Sequence, residues 1–211
     1  MRYDTGSATA LLARTPAVLR AMLQGLPAEW LDAPERPGAW SPREVACHLA
    51  DLEHDAWLPR VRTILQHGTA RPVRGVERER FRERYAGAPV EAVLDDFQAA
   101  RAASLRALDA LEVGGAALAA VGRHELLGEI RLSEVLSTWV VHDLTHLAQV
   151  SRALAAQYRD EVGAFAGFLS ILRHNITFVG EAAPPGTASS HRGTETQREA
   201  PPQIHPRSPR R

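Results

Sequence analysis

The sequence predicts an all-α protein, a bundle of antiparallel helices followed by a disordered tail. Two observations support this fold class. Several segments carry apolar residues at helical spacing, and no segment shows a convincing strand pattern of alternating apolar and polar residues. With 211 residues and 45% hydrophobic content, the chain can build one domain of ordinary size with a typical core.

The first two predicted helices are each interrupted by a proline. Apolar residues recur at helical spacing over residues 7–26, where Pro16 should kink or divide the helix. The second helix should begin after Ser41, which can cap it as part of a Ser-Pro-x-Glu capping box. It should run from about residue 42 to about residue 66, with a kink at Pro59.

The remaining elements follow the same periodicity. Residues 68–87 have no apolar period and many arginines, which predicts a long connection with a short solvated helix. A third helix is expected over residues 89–111 and a fourth from about residue 132 to about residue 158. Residues 120–130 predict a turn or a short extended piece, and residues 163–176 a fifth helix.

The chain divides into a helix-bundle domain, residues 1–180, and a tail, residues 181–211. The tail holds six of the fourteen prolines and almost no large apolar residue. Such a composition buries too little surface to offset the entropy lost on ordering, so we expect this tail to be disordered.

Composition excludes several classes of function. Acidic and basic residues number 25 each, so no net field attracts nucleic acid or an anionic membrane surface. A single cysteine, Cys47, excludes an internal disulfide and a multi-cysteine metal site. No segment has the length of apolar sequence that a membrane span or a secretion signal needs, which predicts a cytoplasmic protein with no membrane partner.

The segment HDLTH in the fourth helix places two histidines four residues apart. At about 100° per residue, His142 and His146 lie roughly 40° apart on the helix and face the same space. Asp143 lies about 100° from His142, inside the apolar stripe. A buried carboxylate needs a donor, so we expect Asp143 to pair with an imidazole N–H or with an arginine of a neighbouring helix.

Four further residues are of types that could belong to a site. Gln149 lies within about 20° of His142, where it could bind a metal-bound water or a substrate carbonyl, or simply satisfy a core contact. His48 lies on the bundle-facing side of the second helix, at an acidic margin. His54 and Cys47 are better explained as a surface residue and a small buried residue, respectively.

A His-x-x-x-His pair alone is more often two histidines at the margin of a core than a pair of metal ligands. A third imidazole from a facing helix changes this interpretation, because three histidines leave open positions for water or substrate on a catalytic divalent ion. The candidate ligands are His48, His142 and His146.

The segments WSPREVACHLADLE (40–53) and GEIRLSEVLSTWVVHDLTHLAQVSRAL (128–154) resemble the DinB-like superfamily of damage-inducible, YfiT-like helix bundles. The resemblance implies a four-helix bundle with up-down-down-up order, metal ligands at His48, His142 and His146, and a zinc or nickel ion. It also implies a homodimer and a small-molecule substrate. Characterised members include transferases that use low-molecular-weight thiols and a thiol-dependent isomerase.

Three functions remain open at this stage. The first is a metal-dependent enzyme that activates a thiol or water, with Arg74, Arg78 and Arg82 meeting carboxylates of a thiol cosubstrate or merely forming a solvated charged loop. The second is a variant of the metalloprotease helix with Asp143 as general base. The third is a non-catalytic helix bundle that binds a metal or ligand in a stress response.

Overall fold

The structure, a computed structural model, describes residues 3–173. The predicted bundle is confirmed, and two of the predicted helices are each divided into two shorter helices. The α-helices are α1 (Thr5–Leu12), α2 (Thr15–Leu23), α3 (Ala28–Leu31), α4 (Pro42–Asp55), α5 (Trp57–His67), α6 (Phe81–Arg84), α7 (Val90–Asp109) and α8 (Leu132–Ala156). The strands are β1 (Pro72–Val73), β2 (Val121–His124) and β3 (Gly128–Arg131).

The first predicted helix is divided into α1 and α2 just before Pro16, the residue at which a kink or division is expected. Proline lacks the N–H that would bond the carbonyl four residues earlier, so Pro16 leaves the carbonyl of Leu12 without its helical partner. That carbonyl instead accepts a hydrogen bond of 2.7 Å from Nη1 of the buried Arg101 on α7. The break between α1 and α2 therefore leaves a carbonyl oxygen that accepts a hydrogen bond from a buried arginine.

The second predicted helix begins with the expected capping box and is divided into α4 and α5 at Ala56. The Ser41 hydroxyl accepts from the Glu44 amide at 3.3 Å, and the Glu44 carboxylate accepts from the Ser41 amide at 2.9 Å. The break lies three residues before Pro59, because the proline ring clashes with the carbonyl of Asp55 and cannot donate to it. Helices α4 and α5 follow each other with a change of direction.

Helix α4 lies at the centre of the bundle and contacts both α7 and α8. Its residues from Val45 to Glu53 are all buried, as expected for an element covered on more than one side. Helix α5 packs on α8, while α1 and α2 cover α8 and α7. None of the helices in residues 3–173 combines the length and apolarity needed to cross a membrane.

A small sheet, missed at the level of sequence, covers α5. Strands β2 and β3 form an antiparallel hairpin in the segment predicted as a turn or extended piece, and β1 pairs with β2 in parallel. Gly122 in β2 allows the close approach to the helix, because a Cβ there would lie 2.5 Å from Cγ1 of Ile64. The strands have two to four residues, too few for an alternating pattern to stand out.

Two predicted segments differ from the structure. The arginine-rich connection does contain a short helix, α6, but Phe81 within it is buried against the core, so this helix is only partly solvated. In place of a continuous fifth helix, the chain forms 3-10 helices at Gly163–Phe168 and Ser170–Leu172. Two glycines in this segment, Gly163 and Gly167, weaken α-helix propensity. The predicted tail, residues 181–211, lies outside the described residues.

Candidate metal centre

The structure brings His48, His142 and His146 together inside the bundle. One ring nitrogen from each lies within 4.8 Å of the others, and the side chains are buried except for the half-buried His142. His48 comes from α4, whereas the other two lie one turn apart on α8. The spacing within α8 therefore places two of the histidines side by side, and the packing of α4 on α8 adds the third.

The hydrogen bond with Gln149 assigns the tautomer of His146. Its Nδ1 lies 2.9 Å from Oε1 of Gln149, an oxygen that can only accept, so Nδ1 carries the proton. Its Nε2 then presents a lone pair toward Nε2 of His142, 3.1 Å away. Gln149 thus contacts an imidazole rather than an open space, and it orients that imidazole as a partner of a metal-bound histidine does.

These donors fit a divalent cation. The two facing Nε2 atoms of His142 and His146 can share at most one proton, and Nδ1 of His142 and Nδ1 of His48 are buried without a hydrogen-bond partner. In tetrahedral geometry, nitrogens that bind one zinc-type ion at about 2.1 Å lie about 3.4 Å apart, so the ring nitrogens would approach one another by at most about 1.4 Å to complete the site. Imidazole is a ligand that zinc and nickel accept readily.

Burial keeps the three imidazoles uncharged at neutral pH. Desolvation lowers the pKa of His48 to about 3 and that of His146 to about 4, with the charge of Arg78 acting in the same direction. The pKa of His142 is lowered well below its ordinary value, again mainly by burial and further by its two histidine neighbours. Neutral rings are the form that binds a metal, so protons compete weakly for this site.

Aromatic rings enclose the histidines. Trp40 packs on His48 with ring centroids 4.6 Å apart, and it stacks on His146 at 6.1 Å. Phe81 of α6 lies edge-on to His48 at 5.9 Å, and Trp57 lies edge-on to His142 at 5.2 Å. This apolar surround fixes the ring orientations and excludes water from the sides of the site.

Asp143 faces away from the histidines. Of the two partners expected for it, an imidazole N–H and an arginine of a neighbouring helix, it binds the arginine, which is Arg101 of α7. Its oxygens accept from the Arg101 guanidinium at 2.6 Å and 3.2 Å, and all of these atoms are buried. The same guanidinium lies 2.9 Å from the Glu53 carboxylate, without the alignment of a hydrogen bond. With both oxygens held, Asp143 is not available as a general base, which argues against the metalloprotease hypothesis.

His54 is a surface residue and Cys47 a buried one, as the sequence indicates. His54 lies at the surface, where Nε2 pairs with Asp96 at 2.9 Å. Cys47 is buried, and desolvation raises the pKa of its thiol to about 12, so it remains protonated and unreactive. Neither side chain belongs to the histidine group.

The structure separates the arginines that the sequence grouped together. Arg82 pairs with Glu44 at 2.5 Å and with Glu79 at 3.2 Å, as expected of a solvated charged loop. Arg78, in contrast, lies over the Trp40 ring with its Cζ 4.5 Å from the centroid. Sequence reasoning missed Arg60, which lies over the Trp57 ring at 5.4 Å on the other side of the site.

Comparison with known proteins gives the family and the fold. The sequence model of the DinB superfamily matches residues 11–150, more than half of the chain. YfiT from Bacillus subtilis, described as a probable metal-dependent hydrolase with an unusual four-helix bundle topology, superposes with a TM-score of 0.62 at 20% identity, covering 77% of this chain and 94% of YfiT. The four-helix bundle protein TT2238 gives a TM-score of 0.47 at 23% identity, with 70% and 98% covered. No curated protein matches the chain.

Proposed function

The chain belongs to the DinB superfamily, and on that premise we propose that it is a divalent-metal-dependent enzyme with His48, His142 and His146 as the protein ligands. The observation that carries this proposal is the convergence of three neutral imidazoles with no carboxylate among them. Three histidines leave coordination positions open, which is typical of catalytic rather than structural sites. Zinc or nickel is the expected ion.

An ion held in this way lowers the pKa of a bound water or thiol and acts as a Lewis acid toward an electrophilic substrate. The protein residues do the rest. Gln149 holds the proton of His146 on Nδ1 and so keeps Nε2 available. Trp40, Phe81 and Trp57 keep the rings in place and exclude bulk water. Arg101 anchors α8 through Asp143 without entering the site.

A low-molecular-weight thiol is our proposed nucleophile. In the proposed reaction, its thiolate forms a bond from sulfur to the electrophilic carbon of a small substrate, while the bond from that carbon to its leaving group breaks and the leaving group departs as an anion. The support is the family resemblance together with the lack of a free carboxylate base in the histidine group. A thiol bound in anionic form needs no general base in the attacking step, because its proton has already been lost. Hydrolysis by an activated water is the alternative chemistry of the same site.

Metal content is the first test. Protein purified without a histidine tag should contain one zinc or nickel per chain by elemental analysis. Replacement of His48, His142 or His146 by Ala should remove stoichiometric metal, because each variant leaves two protein ligands. His54→Ala is the matched control and should retain the ion, since His54 lies at the surface against Asp96. Equal losses in all four variants would show that the ligands are wrongly assigned.

Turnover separates an enzyme from a binding module. The metal-loaded protein should consume a thiol on a bimane electrophile, whereas a para-nitrophenyl ester tests the hydrolytic alternative. A non-catalytic stress-response bundle would take up metal and accelerate neither reaction. We further propose, from the family resemblance, a cytoplasmic homodimer, which light scattering on the purified chain would test.

A further inference from the structure

Two arginines of residues 74–84 lie over rings that enclose the histidines, Arg78 over Trp40 and Arg82 over Phe81. Arg82 is paired with the carboxylates of Glu44 and Glu79. The Arg78 guanidinium stacks on Trp40, the ring that packs on His48 and His146. Arg80 and Arg84 of the same connection pair with Asp51 and Asp55, yet within residues 3–173 no carboxylate lies within 4.0 Å of the Arg78 guanidinium. Arg78 is exposed, so a solute can reach it.

Arg60 makes the same kind of contact with a second ring that packs on the histidines. It lies over Trp57, the ring that packs edge-on to His142. It is half-buried, its Nε is buried without a hydrogen-bond partner, and desolvation lowers its pKa. Together with Trp57 it lines a cavity of about 240 Å³ that extends along α8. The one carboxylate in that lining, Glu134, lies by Arg131 at 3.7 Å.

The charge around the histidines is therefore positive on two sides and uncompensated. A half-buried guanidinium without a counter-ion loses hydration that nothing in the described chain replaces. A guanidinium group stacked on an aromatic ring still points its N–H groups outward in its own plane. These N–H groups can donate paired hydrogen bonds to the oxygens of a carboxylate or phosphate. An unpaired cation beside a reactive centre is thus an expected binding element for an anionic ligand.

We propose that the three-histidine site takes a small substrate bearing an oxyanion, a carboxylate or a phosphate, and that Arg78 and Arg60 bind this group from the two sides. The inference rests on the proposed metal function and goes beyond it, because it names the charge of the substrate and the residues that recognise it. Arg78 meets the ligand at the exposed mouth near Trp40. Arg60 meets the same group from the side of Trp57.

The test uses ligands that separate metal binding from anion binding. Zinc-loaded protein is titrated by calorimetry with acetohydroxamate, which is a neutral metal chelator, and with the monohydroxamate of succinate and its methyl ester. A phosphonate-bearing hydroxamate distinguishes the two oxyanions. We expect the free acid to bind about tenfold more tightly than its ester, as a charge-assisted hydrogen bond allows. The better of the carboxylate and phosphonate ligands identifies the substrate class.

Variants assign the effect to residues. Arg78→Gln and Arg60→Gln should each reduce the preference for the acid over the ester, and the double variant should abolish it. Acetohydroxamate should bind all of them within about twofold, because its contacts are to the metal. Arg62→Gln is the control, an exposed arginine on α5 with no contact to the site. Equal affinity of acid and ester in the unmodified protein, or a preference that survives the double variant, would overturn the proposal.

Failure of the metal function would be seen separately. If acetohydroxamate does not bind, the metal assignment fails, while titration of the metal-free protein with succinate still tests the arginines. In that titration the double variant should bind succinate more weakly than the parent chain. No difference between them would refute the anion site independently of the metal.

Discussion

Replacing Asp143 by Asn should destabilise the fold and leave the metal site largely intact. Asp143 accepts contacts of 2.6 Å and 3.2 Å from a guanidinium that is itself buried. The asparagine keeps one acceptor oxygen but turns an amide N–H toward the guanidinium of Arg101. Arg101 retains the Leu12 carbonyl and the Glu53 carboxylate as partners, so its charge is not left unpaired.

The magnitude follows from those contacts. A hydrogen bond to a charged group contributes about 1.5–3 kcal/mol, and a buried donor facing another donor adds a penalty of similar size. We expect the free energy of unfolding to fall by about 2–4 kcal/mol, out of a total of about 5–15 kcal/mol for a typical domain. The melting temperature should fall by about 5–15 °C for a domain of this size. Metal affinity should weaken by at most about 10- to 100-fold.

Urea denaturation followed by circular dichroism measures the stability, and competition with a chromophoric chelator measures the affinity. Asp95→Asn is the matched control, because the Asp95 side chain is 72% exposed and pairs with Arg20 at the surface. Its loss should cost less than about 1 kcal/mol. A variant Asp143→Asn that is fully stable and fully metallated but inactive would refute this reasoning and restore Asp143 as a general base.

Three other outcomes are expected. The metal-free protein should lose stability as the pH falls below about 6.5, by up to about 1.4 kcal/mol per pH unit for each histidine, because the unfolded state takes up protons that the buried rings do not. In a triple variant with His48, His142 and His146 replaced by Gln, the free energy of unfolding measured in urea should depend less steeply on pH. An unchanged dependence would contradict this explanation. Gly122→Ala should cost about 1–3 kcal/mol through its clash with Ile64, whereas Gly75→Ala, with open space around it, should cost far less. Deletion of residues 181–211 should leave the melting temperature nearly unchanged, and a large loss would contradict the composition argument.

Local signals were enough to predict the long helices and two of the three candidate ligands. Capping at Ser41 and the proline at position 59 act within one or two turns, so the helix start and the break near it follow from sequence. The pair His142 and His146 is likewise set by the 3.6-residue period. His48 could be added only from the facing side of its helix and the family resemblance, because its contact with α8 is a tertiary one.

The features that were missed depend on distant parts of the chain. Strand β1 pairs with β2 at Pro72 and Arg123, a register that no short window of sequence contains. The buried Arg101 did carry a signal, since it falls in the apolar period of α7 between Phe97 and Leu108. A charged residue at such a position indicates a buried counter-ion. Asp143, for which an imidazole N–H or an arginine of a neighbouring helix is the expected partner, supplies it.

The arrangement of charge in the core explains why Asp143 should act on stability rather than on the metal. A free carboxylate one residue from His142 would compete as an oxygen ligand for a hard or borderline cation. Arg101 prevents this by holding both oxygens of Asp143 and by lying next to Glu53, whose pKa burial raises. An ion held by the proposed ligands would face neutral donors alone, so its full charge would act on whatever occupied the open positions. A carboxylate ligand would have offset part of that charge and weakened the acidification of a bound nucleophile.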